Sequence, residues 1–207
     1  MAADLKQENT RGVFLLMAAS LVISAFLQLE SSSLTGLVDI LLVGGGGLLL
    51  SALLVMLANL LPQSFKHKLV FTRYKNELPG CRVDQLCQKG SRIEYELVSQ
   101  RWPEVFAENV DENTRNSRWY QQVYMSVKNS QEVLQAHRSF LLYRDSFSGL
   151  LLILVMTIGW ALLGSSELIG EIKPVVFLIQ AALTVLTLLA ARIAGNRFVT
   201  NAVAAAE

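Results

Sequence analysis

The chain predicts an all-α membrane protein. Four transmembrane helices form two hairpins, a helical cytoplasmic insert lies between them, and a long stalk helix is continuous with the third span. Three observations lead there. Hydrophobic residues make up 52% of the 207 residues and charged residues 17%, against about 25% charged in average soluble domains. The stretches 13–29, 36–61, 147–164 and 174–191 contain no Lys or Arg and measure 17, 26, 18 and 18 residues; a hydrocarbon core of about 30 Å needs about 20. The 18 Lys and Arg against 17 Asp and Glu leave a net charge of +1, which excludes a basic nucleic-acid arm, so no direct nucleic-acid binding is expected.

The first stretch follows Lys6 and Arg11, a charged flank that a secretory leader would also carry. Its 17 residues exceed the ~7–15 of a leader's apolar core, and the second stretch begins seven residues after it ends. It reads as a retained anchor. The second stretch is long enough to tilt and closes at Pro62. The third and fourth enclose the short loop 165–173. In lipid every backbone group must bond within its own segment, so these are helices. A soluble helix would show a polar stripe, which they lack.

Thirteen of the 18 basic residues fall in 62–146, none falls in loop 30–35, and Lys173 alone falls in the second loop. Lys and Arg near span ends favour the cytoplasm, so the insert and both termini are expected inside a bacterial inner membrane. The resulting domains are 1–61 (tail and hairpin), 62–146 (cytoplasmic helical domain) and 147–207 (hairpin and tail). Within the insert, helices are expected at 63–78, 82–89 and 92–102, the last capped by Ser91 with Glu94 behind it. Residues 104–113 read as irregular. From Thr114 no Pro occurs before 174 and no Gly before 149. Trp119, Val123, Val127, Leu134, His137 and Leu141 recur at largely helical spacing, which predicts one helix of about 45–50 residues, or about 70 Å, running into the third span. The alternative is a loop near Ser146.

Chemistry-bearing residues are few. Asp39 lies in the second stretch, where an acid either faces a cavity or sits hydrated at the headgroups. Gly44, Gly45, Gly46 and Gly47 strip side chains from mid-membrane; this suits tight packing within a protomer, self-association or a gate. Gln180 is the strongest of the mild polar points in the spans and suits an interhelical bond. His137, Arg138, Arg144 and Asp145 form a juxtamembrane cluster facing Arg192, Asn196 and Arg197, and Arg144 suits lipid phosphate. Trp102, Phe106 and Trp119 are candidate anchors for a partner, unless the insert's own core takes them. Cys81 and Cys87 read as reduced, small apolar residues, without a zinc pattern. The two histidines, His67 and His137, are isolated, and no nucleophile, zinc or phosphate-loop motif appears. No catalytic residue, metal site or cofactor is expected, and the chain does not read as an enzyme.

The plan of two membrane hairpins around an 85-residue insert, with the patches His-Arg-Ser-Phe-Leu-Leu-Tyr-Arg-Asp (137–145) and 191–203, resembles small bacterial four-helix membrane proteins that accompany phage-defence and nucleotide-signalling operons. The resemblance spans the chain as architecture and carries over no functional residue. It implies a place in antiviral defence. The function expected is an integral membrane effector or channel-like module, working as a homo-oligomer in the lipid bilayer. Its insert senses a cytoplasmic protein or small-molecule ligand and acts on the membrane. The alternatives are a scaffold that anchors a cytoplasmic partner and a small dimeric transporter.

Overall fold

The computed structural model describes residues 2–28, 45–46, 49–50, 52–90, 92–163 and 171–207, and among them all regular structure is helical. In chain order the helices are α1 (Ala2–Gln28), α2 (52–60), α3 (Gln63–Phe71), α4 (Val83–Gln88), α5 (Tyr95–Arg101), α6 (Pro103–Phe106), α7 (Glu112–Arg118), α8 (Met125–Val127), α9 (Gln131–Leu163) and α10 (Pro174–Ala206). A 3-10 turn, Pro79–Arg82, leads into α4, and a π-helical segment, Trp119–Tyr124, joins α7 to α8. Among the described residues three helices are long and apolar enough to cross a membrane: Glu8–Gln28 within α1, and all of α9 and α10. The expected second span, 36–61, is described in part, helical at 45–46, at 49–50 and through α2.

Contacts divide the chain into two units, Met1–Pro62 with Leu142–Leu189, and Gln63–Leu141 with Ala190–Glu207. Helices α9 and α10, of 33 residues each, contribute to both.

The first unit is sorted opposite to a soluble domain. Leu15, Phe26, Leu53, Met56, Leu60, Leu162, Leu178 and Leu186 are exposed, while Ser20, Ser24, Arg144, Ser148, Gln180 and Thr184 are buried. An apolar surface of this extent needs an apolar surrounding. Its core gathers Val13 and Met17 of α1, Leu54 and Val55 of α2, and Leu150 and Ile153 of α9, with Leu183 of α10 against them. Helices α1 and α9 approach closely because Gly149 faces the fully buried Met17; a Cβ on Gly149 would lie 2.7 Å from Met17 Cε.

The second unit has an ordinary core. Val83, Val98, Val105, Phe106, Trp119, Val123 and Val133 pack with Phe198, Val199, Ala202 and Val203 of α10. Phe198 meets Trp119 edge-on at 5.6 Å between ring centroids. Gly195 keeps α10 close to α3 and α9, since a Cβ there would lie 2.7 Å from Phe71 and 2.9 Å from Phe140. Arg115 latches the connections: its Nε donates to the Val105 carbonyl (3.1 Å), its Nη2 to the Ala107 carbonyl (2.9 Å), and its Nη1 pairs with Asp84 (3.0 Å).

Four expected elements are corrected. The helix expected over 63–78 ends at Phe71, because Thr72 and Asn76 take left-handed φ of 50° and 54°. The one expected over 92–102 is Tyr95–Arg101, entered through Glu94 without a side-chain cap, and Ser91 lies outside the described residues. The irregular stretch 104–113 is replaced by α6 and by a capped start to α7, where the Asp111 carboxylate accepts from the amides of Asn113 and Thr114, each at 3.1 Å. The stalk does not begin at Thr114. Lys128–Ser130 turns, and Ser130 starts α9 as an N-cap, its hydroxyl accepting from Val133 N at 3.3 Å and its carbonyl from Leu134 N at 3.0 Å. The helix continuous with the third span is therefore Gln131–Leu163, about 50 Å rather than about 70 Å, and no loop occurs at Ser146.

Two outcomes test this packing. Gly149→Ala displaces the flexible end of the buried Met17 side chain and is expected to cost about 1 kcal/mol in detergent melts; Met17→Ala in the same chain should recover part of that loss, and purely additive effects would count against the contact. Cys81 and Cys87 are both buried. Burial, then Glu112, pushes the Cys81 thiol up to about 11, and burial, then Asp84, pushes Cys87 up to about 12. Both thiols are thus protonated at pH 7.5, and the thiolate is the reactive form. Maleimide should leave the folded protein unmodified while labelling a Tyr74→Cys variant, Tyr74 being 90% exposed, and should reach both native thiols after denaturation.

Candidate functional site

The most unusual chemistry in the first unit is an ion pair on α9. Arg144 is 2% exposed and Asp145 is 6% exposed. Both residues belong to the turn Arg-Asp-Ser-Phe-Ser (144–148), where Ser146 and Ser148 are buried as well. The Arg144 guanidinium donates twice to one carboxylate oxygen, from Nε at 3.0 Å and Nη2 at 2.9 Å to Asp145 Oδ1. Ser148 closes the turn by donating to the Arg144 carbonyl at 3.0 Å. Asp145 also lines a cavity of about 10 Å³ with Thr10 and Val13 of α1 and Val55, Ala58 and Asn59 of α2. That volume holds about one water, and Thr10, Asn59 and Asp145 offer it polar partners. Burying each ion costs several kcal/mol, which pairing only partly offsets, and an ionisable group within an apolar bundle is a functional candidate for that reason.

A second polar seam joins α1 to α10. Gln180 Nε2 donates to Ser24 Oγ at 3.0 Å, and Ser24 donates to the Ser20 carbonyl at 2.8 Å. Thr184 donates to the Gln180 carbonyl at 2.8 Å. Ser20 Oγ and Gln180 Oε1 are buried there without a hydrogen-bond partner among the described residues. Beyond this seam Gln28 holds the strand of chain before α10: its Nε2 donates to the Glu171 carbonyl (2.6 Å), and its Oε1 accepts from Lys173 N (3.0 Å).

The other expected residues fall as follows. Asp39, Gly44 and Gly47 lie outside the described residues. Gly45 and Gly46 are helical and exposed, and a Cβ on either would meet nothing within 4 Å, so among the described residues they are not sites of tight packing within the protomer. The juxtamembrane cluster is divided between the units, with Arg144 and Asp145 in the first and His137, Arg138, Arg192, Asn196 and Arg197 in the second. Arg144 is buried and so is not presented to lipid phosphate. His137 stacks on Phe198 at 4.5 Å between centroids and shares a hydrogen bond with Tyr124 through Nδ1 (3.2 Å). Arg192 Nε donates to the Val70 carbonyl at 2.6 Å. Asn196 has a buried Oδ1 without a partner. Arg138 and Arg197 are exposed. Phe106 and Trp119 are buried in the second unit's own core, and Trp102 packs partly against it under the Arg101 guanidinium, 4.9 Å from the ring. Those burials remove Phe106 and Trp119 as surface anchors.

Sequence reasoning missed Ser20, Ser24 and Thr10 in the bundle and the Arg115–Asp84 latch in the insert. Ser20 and Ser24 stand four residues apart, a spacing that places both on one helix face; that signal was present. Nothing local marks Arg115, whose partners are 8, 10 and 31 residues away. Among the described residues no group of three His, Cys, Asp or Glu is arranged to hold a metal.

Removing the Asp145 charge takes the carboxylate from beside the buried Arg144 guanidinium. Asp145→Asn is expected to lose about 1.5–3 kcal/mol of stability, read from unfolding in detergent, with Asp145→Glu losing less. A loss below about 1 kcal/mol, the range of exposed pairs, would show that the pair is hydrated. No family model matches the chain, and neither a curated protein nor a solved structure is significantly similar to it.

Proposed function

We propose that this chain is an integral membrane effector or channel-like module that acts as a homo-oligomer. Four spans, the described three and the stretch 36–61, form two hairpins. The distribution of Lys and Arg puts the insert and both termini in the cytoplasm of a bacterium, where the insert senses a protein or small-molecule ligand. The proposal includes no catalysis.

One observation carries the reading. Helix α9 supplies Val133 and Phe140 to the insert and Leu150 and Ile153 to the apolar bundle without a break, and α10 supplies Phe198 and Val203 to the insert and Gln180 and Thr184 to the bundle. A packed core is bistable rather than continuously deformable, and α9 and α10 give a continuous helical route from Phe140 and Phe198 in the insert to the buried polar groups of the bundle. Self-association is supported by the open space at Gly45 and Gly46, since bare backbone allows close approach of a second helix. A scaffold role is less well supported, because Phe106 and Trp119 are enclosed.

The test pairs mass with membrane potential. The full chain in detergent should have the mass of an oligomer, and its overproduction should depolarise cells. Gly45→Leu, at a position where a Cβ meets nothing within 4 Å among the described residues, should abolish both while keeping the melting temperature. A monomeric wild-type mass together with an undisturbed potential overturns the proposal.

A further inference from the structure

Three arginines of the second unit converge on the segment that follows α3. Phe71 ends that helix, and Thr72 turns the chain with a left-handed φ of 50°. Arg192 of α10 holds the turn, donating from Nε to the Val70 carbonyl at 2.6 Å and from Nη2 to Thr72 Oγ1 at 3.1 Å. Arg82, at the end of the 3-10 turn, lies over the Phe71 ring with Cζ 5.1 Å from its centroid. Arg73 is the next residue after Thr72, and among the described residues its ion-pair contact is a long 3.7 Å approach to Glu112.

The Arg82 guanidinium is the anomaly. Its Nε and Nη2 are buried, and neither has a hydrogen-bond partner among the described residues. A buried charged donor left unpaired is among the costliest defects a fold can carry, and native structures pair nearly all of them. Nε and Nη2 form one edge of the guanidinium. That edge presents two parallel N–H groups, the geometry that binds two oxygens of a phosphate or carboxylate together. Burial, then Arg73, works against the charge on Arg82; Cys81 and Glu112 oppose this, and Arg192 adds a smaller push in the same direction as Arg73. Two further arginines thus lie within electrostatic reach of an unfilled pair of donors. The surrounding sequence agrees: residues 63–82 contain Lys66, Lys68, Arg73, Lys75 and Arg82 against Glu77 as the one acid.

We infer that Arg82, with Arg73 and Arg192 beside it, forms a binding site for a phosphate group. Arg82 binds two phosphate oxygens through Nε and Nη2, Arg73 neutralises the remaining charge from the half-exposed side, and Arg192 positions the turn. Phosphate fits better than a carboxylate because up to three guanidiniums surround the site and a phosphate group offers enough oxygens to engage more than one. The phosphate comes either from an anionic lipid headgroup or from a soluble phosphate compound. The site lies wholly in the second unit and is independent of the oligomeric reading.

The test uses the full chain in a neutral detergent. Melting is followed against inorganic phosphate at constant ionic strength, and retention of phosphatidylglycerol over phosphatidylcholine is measured by native mass spectrometry from nanodiscs. Arg82→Gln should abolish a saturable phosphate response. Arg73→Gln, a milder change at a half-exposed residue, should weaken it roughly tenfold, the loss of one charge-assisted bond. Lys89→Gln, an exposed cation elsewhere on the unit, should leave it unchanged, which separates binding from the general salting effect of phosphate. A response to phosphate without lipid selectivity identifies a soluble ligand. Selectivity for phosphatidylglycerol that both arginine variants lose identifies a headgroup. Absence of both effects, or effects equal in wild type and Arg73→Gln, overturns the inference.

Discussion

A backbone amide that leaves water must find its partner within its own helix, and that constraint organises the first unit. It requires long unbroken helices, which α1, α9 and α10 are. Once the backbone is satisfied, side chains sort by their surroundings. In this unit many large apolar side chains face outward around a small apolar core, and several polar ones are buried between the helices. The Ser24–Gln180 bond and the Arg144–Asp145 pair follow from this sorting. A polar group between helices has no water to fall back on, so it pairs with the nearest neighbour or stays unpaired at a cost.

The second unit obeys a different balance. Its short helices cannot stand alone, since isolated helices below about 12–15 residues are marginal in water. They are stapled by tertiary contacts. Arg115 ties two carbonyls and Asp84 from one guanidinium, and Trp119, Tyr124, His137 and Phe198 stack into one aromatic group. Helices α9 and α10 take part in both balances. Along each helix the contacts pass from one unit to the other at Leu141–Leu142 in α9 and at Leu189–Ala190 in α10.

The unpaired groups are as informative as the paired ones. Arg82 Nε and Nη2, Gln180 Oε1 and Ser20 Oγ are all buried and unbonded among the described residues, yet they differ in weight. A neutral hydroxyl or amide oxygen without a partner costs on the order of 1–3 kcal/mol, and a charged donor costs more. The arginine is therefore the group whose partner matters most. It was invisible in the sequence, where Arg82 is one cation among thirteen in the insert.

Composition and apolar runs alone determined the helical class and the membrane-length segments, because hydropathy summed over about 20 residues is a local property that no tertiary contact reverses. The extension of the third apolar run into a polar helix was also legible, from the absence of Pro and Gly before Gly149. The starting point of that helix was not. Ser130 is compatible with a helix interior by composition, and its capping bonds to Val133 and Leu134 appear only when Lys128–Ser130 turns. The stop at Phe71 likewise depends on Arg192, 120 residues away, holding Thr72 in a left-handed turn. Tertiary structure alone decided which cations are buried, which aromatic residues enter a core and which donors lack an acceptor, since each of these depends on residues distant in the chain and leaves no local pattern.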